Sequence, residues 1–268
     1  LSLGATTLTL SGGGNFQSVG LDLNDEDSKL LLNSITVDSV STSADSSLGG
    51  LDVDADSTVS SLSVANITPV SIANTKTLSG AITVTAGSIK LAETGTLASS
   101  ISMSGGVLDA DNSLTVSGTL THTGNITIDV LTDKTLTYSG TAISLGATTL
   151  TLSGGGSLVS GGLTLNDVSS KLLLNSITVD SVSTSADSLG LDVDADSTVS
   201  SLSVANITPV AIAGGSSLSG AITVTAGSIK LAETGTLASS ISMSGGTTLD
   251  TDNSLTVSGT LTQSGNIT

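Results

Sequence analysis

Apolar and polar residues alternate strictly over short stretches of this chain. TLTLS (7–11), AITVTAG (81–87), SISMSG (100–105) and SLTVSG (113–118) each place Leu, Ile, Val or Met at every second position and Ser or Thr between them. A period of two sends one set of side chains to a buried face and the other to solvent, so these stretches predict half-buried β-strands. β-branched residues are frequent in them, which favours the extended backbone. No window of helical length shows i, i+3, i+4 spacing with caps, and almost no helix is expected. The alternation restarts at Leu8, Leu30, Val59, Leu78, Leu97, Leu114, Leu136 and Leu150, at intervals of 14 to 29 that average about 20 residues. Gly, Asn, Asp and Ser, the turn formers, fill the gaps.

A longer period overlies this beat. LSLGATTLTLSGGG at Leu1 returns as ISLGATTLTLSGGG at Ile143, and KLLLNSITVDSVSTSADS starts at both Lys29 and Lys171, 142 residues apart. The stretch from Leu78 to Gly106 returns letter for letter from Leu218 to Gly246. The differences sit in short polar stretches, SIANTKT against AIAGGSS and SSLGGL against SLGL, as expected of loops on a fixed scaffold. The reading is two units, 1–142 and a truncated copy over 143–268, in one continuous solenoid.

Short strands restarting every 20 or so residues fit either tandem β-sandwiches or a β-helix. Sandwiches restart nearer about 100 residues and use aromatic or disulfide-bonded cores. The expected fold is therefore all-β, a parallel β-helix (β-solenoid) of about 20 residues per coil, each coil serving as template and lid for the next. With about 4.8 Å between coils the chain would make a rod about 60–65 Å long. Asn33, Asn66 and Asn125, with Asn175, Asn206 and Asn266 in the second copy, fall just after strands, where left-handed turns and stacked amide ladders are expected. Pro69 and Pro209 lack a ladder donor and are expected at coil corners.

Composition narrows the picture. Aromatic residues are 1% of the 268, Phe16 and Tyr138, and Trp and Cys are absent. The interior must then be built of small aliphatic side chains, without disulfides or thiolate metal sites. A mean hydropathy of +0.40 argues against disorder. Net charge is −17, the pI is about 4.1, and all six basic residues are Lys. That disfavours nucleic-acid partners and unassisted docking on anionic lipid, and it favours solubility and mutual repulsion. The longest aliphatic run is Leu30-Leu31-Leu32, so no membrane insertion is expected. Because the chain starts inside a repeat, it is expected to be an excerpt of a longer one, with targeting signals outside it.

Candidate chemistry is sparse. Asp52, Asp54 and Asp56, repeated at Asp192, Asp194 and Asp196, offer the closely spaced carboxylates that Ca²⁺ takes. An EF-hand loop would need Gly and Glu where Ser57 and Ser63 stand, and SGGGNF lacks the Asp of a calcium β-roll. The alternative is a strand with Leu51, Val53 and Ala55 inside and the carboxylates outside, discouraging lateral aggregation. His122 is the only His, and Gln263 replaces it in the second copy, which leaves a catalytic triad no symmetric place and suggests a surface turn. No catalytic, cofactor-binding or metal residue is assigned, no cofactor is expected, and an enzyme is not expected. Lys90 with Glu93, and Lys230 with Glu233, read as solvated pairs of little energy. NIT at Asn66, Asn125, Asn206 and Asn266 is formally a glycosylation acceptor or simply an Asn turn. Thr-rich outward stretches such as ATTLTL and TLTHTG would bind ice only if their Thr pairs fell at one place in consecutive coils, and the varying intervals and the Ser and Asp that often intrude speak against that.

LDADNSLTVSGTLTHTGNITI (108–128) and TLTLSGGGNF (7–16) resemble the repeats of filamentous-haemagglutinin-like adhesins and autotransporter passenger domains. Leu-x-Val-x-x-Gly rhythm, Gly-Asn-Ile-Thr turns, Ser/Thr richness and lack of Cys carry the resemblance along the whole chain. It implies a right-handed coil, export, display at the cell surface, and adhesion or fibre building, and it transfers no catalytic residue. Copies this alike suggest a long stalk produced by recent duplication. The expectation is a structural segment of an extracellular fibre, stalk or adhesin, with a binding module for Ca²⁺, glycan or ice as the alternative. Expected partners are other copies of the same repeat, through end-to-end stacking or bundling, and a host or surface glycan or protein reached through regions outside this segment.

Overall fold

The computed structural model describes residues 1–46, 49–254 and 256–268. Ser47 and Leu48 belong to SSLGGL, where the first copy is two residues longer than SLGL, and Leu255 lies in the second SLTVSG stretch; all three are outside the described residues. The described residues form β-strands, turns and bends, with no helix. The chain divides into two compact units, Leu1–Gly140 and Thr141–Thr268. Each is a parallel β-solenoid.

In the first unit, sheet 1 stacks Thr7–Ser11, Lys29–Asn33, Gly50–Val53, Ile67–Ile72, Ser88–Leu91, Val107–Ala110 and Ile126–Val130, each parallel to the next. In the second unit it stacks Thr149–Ser153, Lys171–Asn175, Gly190–Ala195, Ile207–Ile212, Ser228–Ala232 and Thr248–Thr251. Seven coils and six coils result. In-register partners are 19 to 22 residues apart, as Leu51 to Val70 and Leu8 to Leu30 show. The wider 14-to-29 spread of the apolar beat has a simple origin. Leu8 and Leu30 belong to sheet 1, whereas Val59, Leu78 and Leu97 belong to the next side of the coil, so counting across them mixes two faces.

That next side is bent. Thr36–Thr42, Ser57–Val64 and Thr77–Val84 are single strands with a corner in the middle. In the first two, two consecutive outward residues interrupt the alternation: Asp38-Ser39 and Ser60-Ser61 both face out, flanked by buried Val37 and Val40, Val59 and Leu62, while in the third Gly80 takes the corner. A doubled outward position flips the alternation and turns the strand, so the first halves form sheet 2 and the second halves sheet 3. Other coils split the same side into separate strands, such as Thr96–Leu97 and Ser100–Met103, which pair with the two halves of Thr77–Val84. Three sides thus enclose a narrow shaft.

The shaft is filled as the composition requires. Along sheet 1, Leu30, Leu51, Val70, Leu91, Ala110 and Val130 stack one per coil, each 2% exposed or less. Each apolar layer loses its water against the layers above and below rather than against a second sheet, which is why aromatic volume is unnecessary. Tyr138 is the exception. It is buried in the last coil of the first unit, and its hydroxyl accepts a hydrogen bond from the Leu120 N–H at 3.0 Å.

Two local expectations are corrected. Pro69 and Pro209 sit inside sheet-1 strands, in register with Lys90 and Lys230, rather than at corners. Gly50 and Gly190 of the preceding coils make this possible: a Cβ on either would lie 3.1 or 3.0 Å from the proline Cδ and closer still to its carbonyl oxygen. The glycines leave the space that the proline ring takes. Asn33 and Asn175 do not stack into amide ladders, since Asn33 lies over Ser11 and Asn175 under Ala195. The left-handed residue of NSIT is Ser34 or Ser176, one place after the Asn.

Candidate functional site

The residues singled out by sequence are dispersed by the coil geometry. Asp52 points outward from sheet 1 and its carboxylate meets Lys29 Nζ of the preceding coil at 2.6 Å; Asp192 meets Lys171 at 2.7 Å. Asp56 accepts a hydrogen bond from the Thr77 N–H at 2.9 Å, as Asp196 does from the Ser217 N–H at 2.8 Å. Asp54 and Asp194 are exposed. Each triplet therefore performs separate tasks, an ion pair and a backbone cap on neighbouring coils. Ala55 is only half-buried, because the strand ends at Val53 and the chain turns there. Among the described residues no group of three or more His, Asp or Glu is arranged to hold a metal ion.

Lys90 pairs across coils instead of with Glu93. Its Nζ lies 3.1 Å from Asp111 and 3.9 Å from Asp109, and Lys230 lies 3.0 Å from Asp252. Lys90 projects from a strand while Glu93 lies past the strand end, so the next coil is the nearer neighbour. The hydrogen bond to Asp111 holds the Lys90 ammonium above its ordinary pKa. Asp109 is held above the ordinary carboxylate value, first by burial and then by the charge of Asp111.

His122 is the last residue of the strand Leu120–His122, in register with buried Met103, and half-buried rather than placed on a surface turn. Alternation makes it an inward position at the end of a strand; its counterpart Gln263, in register with buried Met243, is exposed in the last coil. At NIT, the Asn66 amide donates to the Thr42 carbonyl of the preceding coil at 3.2 Å, and Thr68 is fully buried. The corresponding Asn206 bond to Thr184 is 3.4 Å. These Asn residues link coils.

The Thr- and Ser-rich stretches are the ones that the structure brings together. On sheet 3, Ser41, Ser63, Thr83, Ser102 and Thr121 form one outward column, in register coil after coil. A second column holds Ser39, Ser61, Ala81 and Ser100. A third follows one position beyond the inward residues, where Thr85, Ser104 and Thr123 N–H groups bond the preceding coil. Three outward positions in five coils make fifteen; thirteen are Ser or Thr and two, Ala65 and Ala81, are Ala. The second unit carries the same face, with Thr164, Ser183, Ser203, Thr223, Ser242 and Thr262 in its central column. The expected objection, that varying coil length would scatter these residues, fails. Spacings along the column from Ser41 to Thr121 run 22, 20, 19 and 19, and the loops between sheets absorb the difference.

No charged side chain lies on this face from Ser39 to Thr123. Asp22 closes its first coil, accepting from the Ser41 and Ser43 hydroxyls at 3.1 and 2.8 Å, and Asp38 stands at the corner with sheet 2. Several hydroxyls bond back to the coil before, as Thr121 does to the Ile101 carbonyl at 3.4 Å. Their remaining hydrogen-bonding capacity faces out. Separately, a groove of about 500 Å³ beside sheet 2 is lined by Gly13, Thr36, Asp56, Thr58, Thr77 and Ser79. Thr58 and Ser79 bond each other there at 2.8 Å.

Fold and faces define a parallel β-solenoid protein whose units each carry hydroxyl-rich columns on sheet 3, free of charged side chains from Ser39 to Thr123 in the first unit. No family description, curated protein or solved structure matches the chain.

Proposed function

We propose that the chain is a structural segment of an extracellular, cell-surface β-helical fibre, stalk or adhesin, with receptor binding carried elsewhere. One observation supports this above the others: within each unit sheet 1 is laddered coil to coil in parallel along the whole stack, and the other two sides along most of it. Such a stack resists bending and can be lengthened by adding coils, which is what near-identical consecutive units accomplish. Carboxylates on sheet 1, at the corners and in the loops keep the segment soluble and give it a strong negative field. The resemblance to bacterial surface repeats supplies the cell-surface part of the reading. No catalytic, cofactor or metal role belongs to it.

Single-particle imaging of the purified 268-residue chain tests the mechanical part, with stiff particles about 60–65 Å long expected from about 4.8 Å per coil. Particles that flex freely into separate beads would overturn it. Antibodies against the chain should label intact source cells, and labelling that requires permeabilisation would remove the surface assignment.

A further inference from the structure

We propose that the uncharged face of sheet 3 is a lateral docking surface for a second copy of this chain, the contact through which fibres pair side by side. The inference rests on the fibre reading above and adds where and how copies meet. With a net charge of −17, two copies repel over most of their surface. Sheet 1 presents Asp52, Asp109 and Asp129, and the loops and corners add Asp25, Asp38 and Asp45. Beyond Asp22, from Ser39 to Thr123, sheet 3 lets a copy approach without bringing like charges into contact, whereas Asp56 stands in the groove beside sheet 2, and charge segregation of this kind steers association.

The chemistry of the face suits that occupant. Ser, Thr and Ala are short, so two such faces can come together closely, in the manner of the small side chains that interdigitate between paired sheets. Every hydroxyl is both donor and acceptor, so the face is complementary to itself, as a two-fold contact between identical copies requires. An aliphatic face would aggregate without control, and a charged one would repel. The coil repeat of about 4.8 Å is the same on both partners, so each added coil repeats the same contact.

Area sets the strength. Five coils at about 4.8 Å, and about five residues at about 3.3 Å, give a patch of about 400 Å² on one unit. A standard interface buries about 800 Å² per partner, so one unit falls short and association must be weak for a short chain. Many units in series multiply weak contacts into firm pairing, because the second contact is made at high effective concentration. Repetition then tunes bundling as well as length.

The test uses the 268-residue chain in sedimentation velocity at rising concentration, in about 0.05 M and about 1 M salt. Dimers and larger species should form, and salt should strengthen them by screening the acidic faces. Paired Thr83→Glu and Thr223→Glu, one in each unit's face, should lower the association constant at least about tenfold. Ser71→Glu with Ala211→Glu, on the outward side of sheet 1, should leave it unchanged, with melting and circular dichroism confirming the fold of each variant. As a second measurement, Thr83→Cys in this Cys-free chain should give intermolecular disulfides under mild oxidation, whereas Ser71→Cys should not. A chain that stays monomeric at both salts overturns the proposal, and adsorption of that monomer to ice or insoluble polysaccharide would assign the face to that occupant instead. Equal loss in both Glu pairs, or equal cross-linking of both Cys variants, overturns it too. Stiff but monomeric particles would sink this inference alone, and flexible ones the fibre reading beneath it.

Discussion

At Gly80 and Gly220 the chain turns the corner between sheets 2 and 3 with φ of 123° and 121°. A Cβ there would lie 1.8 Å from the carbonyl oxygen of Val59 or Val199. Both the backbone angle and the space exclude a side chain, so Gly80→Ala should cost on the order of 2–4 kcal/mol, read as a lowered urea midpoint with an unchanged slope. Asp109 makes an opposite prediction. Burial first, with Asp111 and Asp129, outweighs the attraction of Lys90 and raises its pKa above 3.8. The folded chain then holds this proton more tightly than the unfolded one. Ionisation costs nothing below 3.8, and the full cost is in force once the pH has passed the raised folded value. Asp109→Asn should accordingly melt higher at pH 7, the gain shrinking as the pH falls through the carboxylate range. A variant that melts lower at pH 7 contradicts this account.

The coil is the element here, and its interchangeability can be measured. Ser88 is in register with Val107, and Gly87 and Gly106, which precede them, have φ of 67° and 83°. Removing Ser88–Gly106 therefore joins Gly87 to Val107 at equivalent points of consecutive coils. The sheet-1 strand Ile67–Ile72 then meets Val107–Ala110, and Thr77–Val84 meets Leu114–Val116 and Leu120–His122. This whole-coil deletion should fold and melt cooperatively with a modest loss of stability, as nearest-neighbour terms in a stacked array predict. Removing only the nine residues Ser88–Thr96 shifts the following strands by an odd number of positions and turns inward residues outward; a native-like spectrum for that variant would show that the ladder does not depend on coil length.

For the whole molecule, charge is the controlling variable. Twenty-three acidic residues against six Lys give self-repulsion that the ion pairs of Lys29, Lys90, Lys171 and Lys230 offset only locally. Exposed pairs contribute little each, while the net repulsion is screened by salt. Melting temperature should therefore rise between about 0.01 M and about 0.5 M salt. A flat or falling response would mean that ion pairs outweigh the net charge.

The all-β class, the coil of about 20 residues and the aliphatic shaft were legible in the sequence, because alternation over five residues is set locally by the pleat and repeats declare their own period. The roles of Pro69, the Asn residues, Lys90 and Tyr138 were not legible, because each depends on which residue the next coil places opposite it. Gly50 makes room for Pro69, and Asp111 captures Lys90, from positions 19 and 21 residues away. The hydroxyl face is the same kind of fact. Its residues were visible as Ser and Thr, but their assembly into three uncharged columns was decided by loops that absorb one to three residues per coil, and register across a sheet is a property of two strands at once, which one strand's sequence does not contain.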